Sequence, residues 1–230
     1  MKIYGLQKLT LLDYPSKTAC TVFTAGCNMR CPFCHNPSLV TRIDNSYIIS
    51  EEEFFSFLSK RKGVLDGVCV TGGEPLLQPD LKDFIAKIKE KGFLVKLDTN
   101  GALPEKLKDI ISSDLVDYIA MDIKNTPEKY AVTCGMEEIS PDDIYKSINL
   151  IINSGKEYEF RTTAVREFHT PEDFKAIAGM IKGAKAYYIQ NFVDSGDTIV
   201  KGFSPLNEND LQEARAEALK ILDKVEIRGI

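Results

Sequence analysis

The sequence predicts an α/β protein built on a covered parallel sheet, with a short β extension ahead of it. Two observations carry that expectation. Six short apolar runs alternate with amphipathic helical segments at intervals of about 25 to 40 residues, the spacing that βα units require. The runs are apolar on both faces, as strands covered by helices on either side must be. An open twisted sheet and a partial barrel both satisfy this pattern. In either, the working surface lies beyond the carboxyl ends of the strands, so the loops after each strand are where chemistry belongs.

In chain order, residues 3–6 and 9–12 read as extended pieces, with a turn at Asp13-Tyr14-Pro15-Ser16. They form a hairpin or edge leading into the first core strand, residues 19–23. Ser50 followed by Glu53 is a capping box for a helix carrying Phe54, Phe57 and Leu58. Strand 67–71 follows. Asp80 opens an amphipathic helix with Leu81, Phe84, Ile85 and Ile88, and Gly92 stops it. Strand 94–98, a short helix over 104–111 and strand 116–123 come next. Ser140-Pro141-Asp142-Asp143 starts a helix with Ile144, Ile148 and Ile151 on one face. Strand 158–165, a helix opened by Thr170-Pro171-Glu172-Asp173, strand 186–192 and a helix over 207–222 complete the pattern.

At 230 residues, 43% of them hydrophobic, the chain is read as a single domain, 1–230, with a substantial core. The formal charge of −5 is spread among interspersed acids and bases, which gives no basic stripe for a nucleic-acid backbone. No apolar stretch approaches the roughly 18 residues that cross a bilayer, and the opening lacks the apolar core of a signal peptide. A cytoplasmic protein is expected, in which the six cysteines make no disulfide framework.

Three of those cysteines lie together in residues 27–35, C-N-M-R-C-P-F-C-H. Cys27, Cys31 and Cys34 are soft ligands suited to a thiophilic metal or an iron–sulfur cluster. A Cys3His zinc site would use His35, but Cys34 and His35 would both have to turn onto one ion, and no second ligand pair follows at finger spacing. The run C-x-x-C-H also matches covalent haem attachment, which goes with export and leaves Cys27 unexplained. A thioredoxin-like pair opens a helix directly after a strand, whereas a Cys-rich loop and Pro32 intervene here. The reading that uses all three cysteines is a four-iron cluster bound through three irons, its fourth iron left open for a substrate.

The C-x3-C-x2-C run with an aromatic before its last cysteine resembles the radical S-adenosylmethionine (SAM) superfamily. Thr71-Gly72-Gly73-Glu74-Pro75, after the second core strand, resembles that superfamily's methionine-binding loop. The resemblance implies a partial (β/α)6 TIM-like barrel and a 4Fe-4S cluster on Cys27, Cys31 and Cys34. The open iron would chelate the amino and carboxylate groups of SAM, and one electron would cleave the sulfonium to methionine and a 5′-deoxyadenosyl radical.

The other loops extend this. Gly72 and Gly73, with Glu74, allow close backbone approach to the cofactor's ammonium; without the cysteine loop they would read as an ordinary tight turn. Asp98-Thr99-Asn100-Gly101 and Met121-Asp122-Ile123-Lys124 are, in isolation, a common turn and a strand exit with solvated charges. Both resemble loops of glycyl-radical activating enzymes. That implies Asp98 at the ammonium or ribose, Lys124 at the carboxylate, and a monovalent cation near Asp98, Thr99 and Asp122. Arg161 is the second cation for the carboxylate, or else a salt bridge across the mouth. After the sixth strand Val193 and Asp194 stand where the pyruvate formate-lyase activator has a histidine, so no adenosine contact carries over. His169 reads as an ordinary loop histidine, and Cys20, Cys69 and Cys134 as buried small apolar residues. Residues 36–50 are too short and cysteine-free for a ferredoxin insert, so no second cluster is expected.

The opening, Gly5-Leu6-Gln7-Lys8-Leu9-Thr10-Leu11-Leu12-Asp13-Tyr14-Pro15, resembles the activating proteins of anaerobic ribonucleoside-triphosphate reductase. In that class the radical removes a hydrogen from one glycine of a partner enzyme, and a flavodoxin- or ferredoxin-type protein supplies the electron. Two other readings remain: an enzyme similar to 7-carboxy-7-deazaguanine synthase acting on a small pterin, and a non-catalytic iron–sulfur or zinc module.

Overall fold

The apolar runs become strands; Asp98, Thr99 and Asp122 fall on the last residues of their strands and Arg161 inside one, while Glu74 and Lys124 lie in the loops that follow. The structure is a computed structural model and describes residues 1–229. β1 (Gly5–Thr10) pairs antiparallel with β2 (Ala19–Thr24), with a register shift between Gln7 and Thr10. The extension is thus the edge strand of the two alternatives, one continuous strand where two extended pieces, 3–6 and 9–12, were expected. The Thr10 hydroxyl accepts the N–H groups of Leu12 and Asp13, both at 3.2 Å, and this turns the chain before a second extended piece can form.

There follow α1 (Pro37–Val40), α2 (Glu51–Ser59), β3 (Gly67–Gly72), α3 (Leu81–Glu90), β4 (Leu94–Thr99), α4 (Pro104–Ser112) and β5 (Tyr118–Asp122). Then come α5 (Pro127–Cys134), α6 (Pro141–Ile152), β6 (Glu157–Ala164), α7 (Asp173–Met180), β7 (Tyr187–Asn191), α8 (Glu208–Leu219) and β8 (Val225–Arg228). The eight strands form one sheet in chain order. β8 is an addition to the six expected core strands; it pairs parallel with β7, Tyr187 opposite Val225.

Local signals set most helix starts. Ser50, Ser140 and Asn207 each accept the N–H three residues on, satisfying a donor the helix itself cannot. Asp80 does not: its side chain makes no cap bond to α3. α5 begins with Pro127 and ends at Gly135, whose φ of +64° is cheap only for glycine.

The chain gathers into two compact units. The first comprises residues 1–28, 38–99 and 105–119. Its core joins Val22, Val68, Val70, Val95 and Leu97 to Phe54, Leu58, Phe84 and Ile88 from α2 and α3, all unexposed. Each such side chain contributes about 1.5–3 kcal/mol by leaving water. β2 and β3 run in step from Ala19 opposite Gly67 to Thr24 opposite Gly72, so their following loops leave side by side. The second unit comprises residues 29–37, 100–104 and 120 onward. Its core is built by Met121, Ile123, Phe160, Tyr187 and Ile189 with Ile144, Ile148, Phe174, Ile177 and Leu211. No helix among the described residues is long and apolar enough to cross a membrane.

Candidate functional site

In the first unit, the loop after β3 is locked to the loop that leads into Cys27. Gly73 donates its N–H to Thr24 O (2.9 Å), Glu74 to Gly26 O (2.8 Å), and the Gln78 amide reaches Ala25 O (2.8 Å). A Cβ on Gly72 would lie 2.3 Å from Thr24 O, and one on Gly73 2.0 Å from Gly26 O. Both glycines therefore have a packing reason in addition to the expected cofactor role. Glu74 is buried; its carboxylate accepts the Leu76 N–H (3.1 Å) and the Thr99 hydroxyl (2.9 Å), tying the β3 loop to the end of β4.

Asp98 pairs with the ammonium of Lys96, two residues back on the same face of β4. Lys96 is 1% exposed; its Nζ also lies 3.9 Å from Cys69 Sγ and 6.0 Å from the centre of the Tyr118 ring. Cys69, read from the sequence as filler, places its thiol 3.9 Å from Asp98 Oδ1. The alternation K-x-D carries the signal for this pair, since residues i and i+2 of a strand share a face.

In the second unit, Cys31 and Cys34 are held by a turn in which Cys34 donates its N–H to Cys31 O (3.0 Å). The Asn36 N–H points at Cys34 Sγ (3.4 Å). His35 is used elsewhere: its Nε2 is 2.8 Å from Val193 O and its ring stacks on Phe192 at 5.2 Å. The Cys31 thiol is lowered to about 7, because a hydrogen bond with Cys134 outweighs burial and the Lys124 charge adds to it. Burial pushes the Cys34 thiol up. Cys134 is thus no mere apolar filler.

At the end of β5, Asp122 lies between two cations: Lys124 Nζ is 3.1 Å from Oδ2 and Arg161 Nε is 2.9 Å from Oδ1. Burial opposes its charge, but Arg161 and Lys124 together hold the carboxyl well below the usual range. Burial likewise opposes the charge on Lys124, and Asp122 with the nearby Cys31 and Cys134 more than reverses it, so Lys124 stays cationic. Glu159, buried on β6, is 3.8 Å from Arg161 and takes a forked contact from Arg228 of β8 at 2.8 and 3.3 Å. Arg228 lies 3.4 Å over the Tyr188 ring.

His169 lies in a loop, as expected, and is buried there. Its Nε2 lies 2.8 Å from Lys124 O and its Nδ1 3.2 Å from the backbone of Val165, so it pins the ends of β5 and β6. Of the proposed cation ligands, Asp98 is engaged with Lys96, Thr99 with Glu74, and Asp122 with Lys124 and Arg161. Among the described residues no three His, Cys, Asp or Glu side chains converge on one metal ion. A cluster bound through three separate irons needs no such convergence.

A model of the radical SAM superfamily matches residues 21–198. A protein of Methanocaldococcus jannaschii, provisionally named a glycyl-radical enzyme activating enzyme, is 38% identical over 99% of this chain and 96% of its own length. The pyruvate formate-lyase-activating enzyme of Clostridium pasteurianum is 28% identical over 80% of this chain and 77% of its own. Among solved structures, Streptococcus suis SuiB bound to S-adenosylmethionine matches with a TM-score of 0.66 at 16% identity, covering 90% of this chain and 49% of SuiB. That last likeness is one of fold, the α/β partial barrel of radical SAM enzymes. The chain belongs to the radical SAM superfamily, among its glycyl-radical enzyme activating enzymes.

Proposed function

We propose that this chain holds a 4Fe-4S cluster on Cys27, Cys31 and Cys34 and, with SAM, installs a glycyl radical on an anaerobic ribonucleoside-triphosphate reductase. Membership of the family implies the cluster, SAM and a glycyl-radical enzyme as substrate. The observation that carries the ligand assignment is the set of three thiols within eight positions with no fourth in the loop. Their chemistry fits: three soft thiol donors, with that of Cys31 lowered from the ordinary thiol range. A cluster bound there, together with SAM, supplies one-electron cleavage of the sulfonium and hydrogen abstraction from the partner's glycine.

The chain's own side chains bind and orient. Lys124 and Arg161 take the SAM carboxylate, and Asp122 holds both cations extended while they do so. Asp98 takes the ammonium or the ribose. Glu74 fixes the loop that presents the backbone of Gly72 and Gly73. The electron comes from a flavodoxin- or ferredoxin-type donor. The choice of partner is supported by the likeness of residues 5–15 to the reductase activators.

Anaerobic reconstitution with iron and sulfide tests the ligand assignment. Wild type takes up four irons and, once reduced, cleaves SAM without any pterin present, while Cys31→Ala does neither. A Cys31→Ala protein with a full four-iron signal and SAM cleavage would sink the assignment.

A further inference from the structure

The sheet of the second unit carries a run of opposed charges, of which the mechanism above uses one end. Glu159 and Arg161 alternate with Phe160 and Thr162 along β6 and so share a face. Glu159 is 1% exposed, and a carboxylate buried that deeply is stable only when paired. Two guanidinium groups stand near it. Arg228 of β8 grips it with a fork, Nη2 2.8 Å from Oε2 and Nη1 3.3 Å from Oε1. Arg161 Nη1 stands 3.8 Å from Oε1, too far for a hydrogen bond, and Arg161 gives a shorter contact to Asp122, Nε to Oδ1 at 2.9 Å.

The strand register explains how Arg228 comes to lie there. Arg161 pairs with Tyr188 across β6 and β7, and Gln190 pairs with Arg228 across β7 and β8. Arg228 therefore starts two residues beyond Tyr188 on the same face and leans back across its ring, 3.4 Å from the centre, to reach Glu159. Stacking holds the planar cation in one orientation, which an ammonium on a flexible stem would not keep. Arg161 is thus flanked by two carboxylates. Asp122 holds it at the end of β5 beside Lys124; Glu159 would draw it back along β6 were its charge not already met by Arg228.

We infer that Arg228, acting through Glu159, is a positioning residue for Arg161: by neutralising the buried carboxylate it leaves Arg161 at Asp122, where the guanidinium serves the carboxylate of SAM. The inference rests on Arg161 and Lys124 taking that carboxylate. β8, which lies outside the six core strands, thereby takes part in selecting a ligand that bears the methionine carboxylate over one that lacks it. Without Arg228 the buried Glu159 charge has to be met by Arg161, and the guanidinium is lost to the cofactor. A residue that merely braced β8 would weaken both kinds of ligand alike.

The test measures binding of SAM and of decarboxylated SAM, which lacks only the carboxylate, to the reconstituted full chain by equilibrium dialysis. Arg228→Met should weaken SAM binding about tenfold and leave that of decarboxylated SAM within about twofold of wild type. Adding Glu159→Gln removes the stranded carboxylate and should bring SAM binding back to within about threefold of wild type, because touching residues couple non-additively. Wild-type SAM binding in Arg228→Met, equal losses for the two ligands, or a double variant as weak as the single would each overturn the inference. Should Arg228→Met fail to fold, Arg228→Gln, which keeps one donor for Glu159, takes its place under the same criteria with a smaller loss expected. Arg161→Met separates this inference from the reading beneath it. If Arg161→Met binds SAM as wild type does, the carboxylate assignment falls and the inference with it; if Arg161→Met loses SAM while Arg228→Met keeps it, only the role of Arg228 and Glu159 falls.

Discussion

The Cβ position of Gly73 lies 2.0 Å from the carbonyl oxygen of Gly26, and Glu74 donates its backbone N–H to that same oxygen at 2.8 Å. Backbone meets backbone, so no flexible side chain can yield. Gly73→Ala should therefore cost about 1–3 kcal/mol, the usual range for overpacking. For a chain of this length that is about 2–4 °C of melting temperature per kcal/mol. Gly179→Ala is the control: this α7 glycine has an ordinary φ and nothing within 4 Å of its Cβ position. It should be neutral or stabilising by up to about 1 kcal/mol. Equal losses in the two variants would refute the packing argument.

The pairing of Asp122 with both Lys124 and Arg161 predicts an asymmetry. Asp122→Asn leaves two cations facing each other and should cost about 3 kcal/mol in denaturant unfolding. Lys124→Met leaves Asp122 paired to Arg161 and should cost less, about 1 kcal/mol. SAM binding should reverse the order of interest: Lys124→Met should weaken it at least tenfold, about 1.4 kcal/mol, by equilibrium dialysis of the loaded protein. Undiminished binding in Lys124→Met removes Lys124 from the carboxylate site.

Asp98 calls for a paired design, because Lys96 is buried against it. Asp98→Ala should take a carboxylate partner from the buried Lys96 ammonium and destabilise by about 3 kcal/mol. Lys96→Met combined with Asp98→Asn should restore most of that stability while SAM binding stays weak. If the double variant binds SAM normally, Asp98 acts through Lys96 and not on the cofactor.

These relationships mark the limit of what the chain reveals as a string. All six core strands were legible because burial on both faces writes them as apolar runs, and three helix starts were legible in Ser50, Ser140 and Asn207. β8 was not, since Val-Glu-Ile-Arg alternates apolar and polar over only four residues, too short a run to stand out until β7 lies beside it. The cysteine spacing and the Gly72-Gly73 loop stood out from local sequence alone. Cys134 did not, because its meaning comes from α5 returning to Arg30 some hundred residues away in the chain. Lys96 hid inside a strand for a related reason: a lysine reads as solvated until burial with Asp98, Cys69 and Tyr118 is seen. His169 reads as a loop histidine beside Thr170-Pro171 and does lie in a loop; what local sequence could not show is that its ring turns inward to Lys124 O.

His169 predicts a pH dependence. Burial lowers its proton affinity, and the backbone contacts at Lys124 and Val165 offset this only in part. The folded protein therefore keeps the ring neutral, while the unfolded chain takes up a proton near pH 6.5. The unfolded state binds more protons below that value, so this contribution is complete above about pH 6.5 and is lost as the pH falls toward the folded value. Urea midpoints of wild type should drop more between pH 7.5 and 5.5 than those of His169→Gln. Parallel slopes would remove the residue from the account.

The account turns on hydrogen abstraction from a partner's glycine. The most direct measurement is electron paramagnetic resonance of the reconstituted, reduced protein mixed anaerobically with SAM and an anaerobic ribonucleoside-triphosphate reductase. The account predicts a glycyl doublet that needs both proteins and SAM, with methionine formed, and that disappears with Cys31→Ala. SAM cleaved at full rate with no doublet on the reductase would contradict the proposed partner.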